Sequence, residues 1–96
     1  MNFITPEMLS SEIDSLGEFF DAHDIERRIL RNQPVAFAQE LLRYREADDI
    51  LRTFSAQFSR FVDTSQSGRL EKAERVTTAN LGGLLSECQQ WRKRPI

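Results

Sequence analysis

Residues able to do chemistry are few in this chain of 96, and they are scattered. There is one histidine, His23, set between acids in the run Asp21-Ala22-His23-Asp24. An imidazole among carboxylates binds cations only weakly. With no second histidine and no Glu-x-x-His pair, the spacing points to a surface or capping residue rather than a metal centre. There is one cysteine, Cys88, so neither an internal disulfide nor a multi-thiolate zinc site can form in a single chain. It falls in an apolar stripe, which marks a buried and inert thiol. Glu46, Asp48 and Asp49 bring three carboxylates together, but Arg45 and Arg52 flank them. That is the pattern of ion pairs on a helix surface, not of an acid–base couple. No Gly-x-Ser-x-Gly elbow, glycine-rich phosphate loop or zinc-ligand spacing occurs. The expectation is a protein that is no enzyme and needs no metal or other cofactor.

Charge offers more. Residues 1–26 hold seven acidic side chains and no Lys or Arg, a sum of −7, while residues 27–96 sum to +5, so the net charge of −2 hides a dipolar chain. On a helical wheel Glu7, Asp14, Glu18 and Asp21 share one face with no base between them, opposite Leu9, Ile13 and Phe20. Such a stripe is either a solvated face or a docking surface for a basic partner. Val35, Leu42 and Trp91 are the apolar candidates for partner binding, although Trp91, at the end of an apolar stripe, reads first as closing one end of the core. Arg92-Lys93-Arg94 closes the chain with a short basic run that would suit nucleic acid. Three residues in a protein of pI about 5.4 make that the lesser reading.

The elements that must position these residues read as helices. Thr5-Pro6-Glu7 is a strong start for a helix over residues 6–22, with a cap, a first-turn proline and an acid at the positive end of the dipole. Asp24 can cap a short helix over 24–31, which Asn32-Gln33-Pro34 stops. Residues 34–63 read as one long helix. Within it Ala47, Leu51, Phe54, Phe58, Phe61 and Val62 fall on one face and Arg52, Thr53, Ala56, Arg60 and Asp63 on the other. Phe37 and Leu41 roughly continue the face of Phe58, whereas Val35, Ala38 and Leu42 point away from it. That end is thus either buried on two sides or partly a docking surface.

Thr64–Gly68 is a polar loop. After it Leu70, Ala73, Thr77, Leu81, Leu84, Cys88 and Trp91 recur at threes and fours, which predicts a helix over 69–94 with Gly82-Gly83 inside it. The expected fold is all-α: a single domain forming a small antiparallel up-down bundle of three long helices and one short one.

Composition is that of a globular domain, 40% hydrophobic and 29% charged. The start lacks the basic flank and apolar run of a signal peptide, and no apolar run approaches a bilayer span. The functional expectation is a cytoplasmic helical module that binds another protein: an adaptor, inhibitor, immunity-type or secretion-chaperone-type protein. A partner with a basic surface suits the acidic stripe, and a homodimer is also compatible. The alternative is a nucleic-acid-binding regulator.

Overall fold

The computed structural model, which describes residues 1–95, has an α+β architecture rather than an all-α bundle. Its elements in chain order are α1 (Pro6–Asp14), β1 (Phe19–Asp21), α2 (Ala22–Asn32), α3 (Pro34–Leu42), α4 (Ile50–Ser65), β2 (Leu70–Ala79) and β3 (Leu85–Lys93). The strands form one antiparallel sheet in the order β1-β3-β2.

The expected helix over 69–94 is instead the β2–β3 hairpin. Val76-Thr77-Thr78 is a β-branched run that favours extended backbone. The turn is built on Asn80, whose Oδ1 accepts the N–H groups of Gly82 (2.9 Å) and Leu84 (3.1 Å). Gly83 has φ of +81°, in the left-handed region that glycine enters without penalty. The spacing of threes and fours does not mark one buried face: Leu70, Cys88 and Trp91 are buried, whereas Thr77 and Leu84 are exposed. β3 is the central strand, flanked by β1 and β2, and carries both Cys88 and Trp91 three residues apart.

The expected helix over 6–22 also divides. Thr5 caps it as anticipated, its Oγ1 accepting the Met8 N–H at 3.2 Å, but α1 ends at Asp14. Beyond Gly17 the chain runs extended as β1, pairing Phe20 with Trp91 of β3. Asp21, not Asp24, then caps α2. The two acids form a reciprocal capping box in which each carboxylate accepts the other's backbone N–H at 2.9 Å.

The long helix expected over 34–63 is α3 and α4, separated by a turn that Asp49 ends by capping α4. The phase conflict between Val35–Leu42 and Phe54–Val62 is thereby resolved, since two helices need not share a face. The bend lays Phe37 edge-on to Phe54 at 5.0 Å between ring centroids, and Phe54 stacks on Phe58 at 5.5 Å. Around these rings Ile4, Leu9, Ile13, Ile25, Ile29 and Val62 complete a fully buried core. Glu40 pins the N-terminal segment to it, accepting backbone N–H groups from Phe3 and Ile4 and pairing with Arg43 at 2.9 Å. Burial alone would raise the Glu40 carboxyl; those donors together hold it below its ordinary value.

No helix of the described residues is long and apolar enough to cross a membrane.

Candidate functional site

α4 and the β2–β3 hairpin leave the turn at Gln66–Arg69 as two arms. Close to the turn they are tied together: the Trp91 indole N–H donates to Asp63 at 2.8 Å, and Lys72 pairs with Asp63 at 3.2 Å. The hairpin's far end is anchored to α2, where Arg27 donates to the Ala79 carbonyl at 2.6 Å. Between these ties lies a groove of about 770 Å³.

Because α4 turns Phe54, Phe58 and Val62 into the core, the row Arg52, Ala56, Arg60 is rotated onto the groove. The hairpin supplies the opposite wall, where Arg75 is bound to Glu87 at 2.6 Å. Leu51, Leu81 and Leu84 form an apolar lip, and Leu84 is 71% exposed.

Ala22, His23, Glu26 and Cys88 contribute to the base of the groove. Glu26 is 1% exposed; its Oε1 accepts the Ser55 hydroxyl at 2.8 Å, and its Oε2 has no hydrogen-bond partner. Burial pushes the Glu26 carboxyl up to about 7, with the Ser55 bond opposing only part of the shift. His23 is buried, and that burial, more than any neighbouring charge, lowers its pKa. Its Nδ1 lies 2.8 Å from the Thr78 hydroxyl, which in turn is 3.7 Å from Cys88 Sγ. Burial raises the Cys88 thiol, outweighing the bonds from the Thr78 hydroxyl and from the His23 and Ala22 backbone that lower it.

Among the described residues the ion pairs leave Arg52 and Arg60 without a carboxylate, while Lys72 and Arg75 are both engaged. Chemically the groove presents the guanidinium groups of Arg52 and Arg60, the α4-capping carboxylate of Asp49, an apolar lip and the buried carboxyl of Glu26.

The residues singled out from the sequence do not converge here. The acidic stripe is not a stripe, because α1 stops before it is complete. Glu7 is exposed on α1; Asp14, the last residue of α1, pairs with Arg69 at 2.7 Å; Glu18, in the following loop, pairs with Arg92 at 3.0 Å; Asp21 is a buried cap. Trp91 is 1% exposed. Val35 and Leu42 are indeed exposed, at 70% and 59%, but on α3 and outside the groove. Arg92, Lys93 and Arg94 lie at the end of β3 and beyond it rather than at a helix end. Arg92 also reaches Glu71, as does Arg94, and Lys93 donates to the Leu16 carbonyl at 2.6 Å. The groove residues that were overlooked carried a partial signal. Arg52 and Arg60 stand on the polar face of α4 in any helical reading, but nothing in the sequence says what they face.

No protein-family model, curated protein or solved structure matches this chain.

Proposed function

We propose that this protein is a non-enzymatic binding module that seats an acidic, partly apolar segment of another protein in the groove between α4 and the hairpin. One observation carries this reading: Arg52 and Arg60 face the groove with no carboxylate of their own, although the groove's other cations are paired. Arginine grips carboxylates through a planar fork and is enriched among residues that dominate binding energy. Eight residues along a helix span roughly 12 Å. Acidic side chains about four residues apart on an extended segment cover the same distance. Leu51 and Leu84 at the lip give that segment apolar contact.

The chain's own candidate acids, Asp14 and Glu18, are held by Arg69 and Arg92, which favours a different protein over a second copy. Commitment of Arg92 and Arg94 to Glu18 and Glu71 argues against a nucleic-acid surface there. A cytoplasmic location accords with a single buried thiol and no disulfide.

The test is fluorescence anisotropy with labelled peptides carrying two carboxylates at four-residue spacing and flanking leucines. Lysine-substituted peptides of the same length and a short DNA duplex run in parallel. The acidic peptides alone should bind, and Arg52→Ala with Arg60→Ala should weaken them by about tenfold or more. Val35→Ser should change nothing. Equal binding of the lysine set, preferential binding of the duplex, or an affinity untouched by the double variant would each overturn the proposal.

A further inference from the structure

Outside the arginine row, the fold gathers one set of side chains that the groove reading does not use. His23 and Cys88, the only histidine and the only cysteine, meet Asp21 so that one ligand atom from each lies within 4.8 Å of the other two, and all three residues are buried. A buried residue touches about 6–12 others, so a given pair in a chain of this length meets by chance in roughly one case in ten. Here the pair that meets is the chain's sole imidazole and sole thiol, with a carboxylate beside them.

We infer that Asp21, His23 and Cys88 form a three-ligand site for a zinc-class divalent cation, its fourth coordination position open to the groove. Asp21 ends β1 and caps α2; its Oδ1 takes the Asp24 N–H, which leaves Oδ2 for a cation. His23 follows two residues later in the first turn of α2, and Cys88 comes from the middle strand of the sheet.

A thiolate, an imidazole and a carboxylate form a donor set that zinc accepts, whereas calcium and magnesium require oxygen. Three protein ligands with one position left over is the coordination of an open zinc site. Bonds of about 2.0–2.3 Å place tetrahedral ligand atoms roughly 3.3–3.8 Å apart. Closing the cluster therefore takes a movement on the order of an ångström, within reach of side-chain rotation. His23 and Cys88 both border the groove, which brings water to the remaining position. The Thr78 hydroxyl touches both of these ligands, 2.8 Å from His23 Nδ1 and 3.7 Å from Cys88 Sγ, and so is placed to orient them. On binding, the cation takes Cys88 as thiolate and the thiol proton passes to solvent.

The site stands apart from the arginine row, so either can fail alone. The test is a titration of the chelator-treated protein with Co²⁺ as a spectroscopic probe. One equivalent should produce a thiolate-to-cobalt charge-transfer band together with the visible bands of four-coordinate cobalt, and Zn²⁺ should bleach both. Cys88→Ser should remove the charge-transfer band. His23→Gln and Asp21→Asn should weaken binding by about tenfold or more. Asparagine still caps a helix, so Asp21→Asn separates loss of a ligand from loss of α2, with circular dichroism as the check. A folded wild-type protein that gives no charge-transfer band, or a band that persists in Cys88→Ser, would overturn the assignment.

Discussion

α4 and the β2–β3 hairpin leave the same turn, yet they are held in place by different means. α4 buries Phe54, Phe58 and Val62 completely. Between Val76 and Glu87, by contrast, the hairpin buries no side chain, and Leu84 and Leu85 are 71% and 77% exposed. One arm is fixed by removal of apolar surface from water, which contributes in proportion to area. The other is buried only near the turn, through Leu70, Cys88 and Trp91. Its outer half is held by the backbone ladder, by partial packing of Val76 and Leu81 on the core, by Arg75–Glu87 across the strands and by the bond from Arg27 to Ala79. The groove thus has one wall set by complete apolar burial and one wall whose outer half is set by hydrogen bonds, an ion pair and partial burial.

The sharpest way to break this contrast is to remove side chains from each arm. Phe58→Ala should cost about 3–5 kcal/mol, the loss typical of a buried aromatic, whereas Leu85→Ala should cost about 0.5 kcal/mol or less. Denaturant melts decide it, and a comparable loss at Leu85 would mean that the outer half of the hairpin is as deeply buried as α4.

Glu26 stands where the two regions meet, and its effect is the next largest. Its carboxyl is protonated more readily in the folded state (about 7) than at the ordinary 4.5, so its contribution to stability is full below about pH 4.5 and lost as pH rises through 7. That difference corresponds to at most about 3 kcal/mol. Thermal melts of the wild type should fall between pH 5 and pH 8 relative to those of Glu26→Gln. Parallel pH profiles would mean that the carboxyl is solvated and the base of the groove open.

The smallest effect lies at the hairpin tip. Gly83→Ala forces a Cβ into the left-handed region and should cost about 1–2 kcal/mol. Gly82→Ala, whose Cβ would meet Asn80 Oδ1 at 3.3 Å, should cost less. Stabilisation by Gly83→Ala in a melt would favour a helix over this segment.

What could be read in advance followed local rules. The Thr5-Pro6 helix start, the aromatic stripe of α4 and a short helix rich in acids and arginines around residues 24–31 depend on neighbours within a turn or two. The breaks did not announce themselves in the same way. Asp49 has ordinary company in sequence, and its role as a cap emerges only because Phe37 must fold back onto Phe54. Val76-Thr77-Thr78 and Gly82-Gly83 are the local signals for the hairpin, and the stripe from Leu70 to Trp91 hides them because its spacing also fits a helix. The candidate site suffered more than the fold. His23 and Cys88 look inert singly, and their meeting depends on β1 and β3 pairing across more than half the chain. The acidic stripe had the opposite fate: its members are neighbours on a wheel, but the helix that would align them ends at Asp14.

The bond from Trp91 to Asp63 gives the molecule a gauge of its own. Trp91 is the only tryptophan, it is sealed from water, and its indole N–H is fastened to the inner end of α4 at the vertex of the groove. Opening that reaches the vertex breaks that bond, exposing the ring or replacing its carboxylate partner with water. Whether the two arms remain joined at their base is therefore written into the emission colour of a single native fluorophore, without a label.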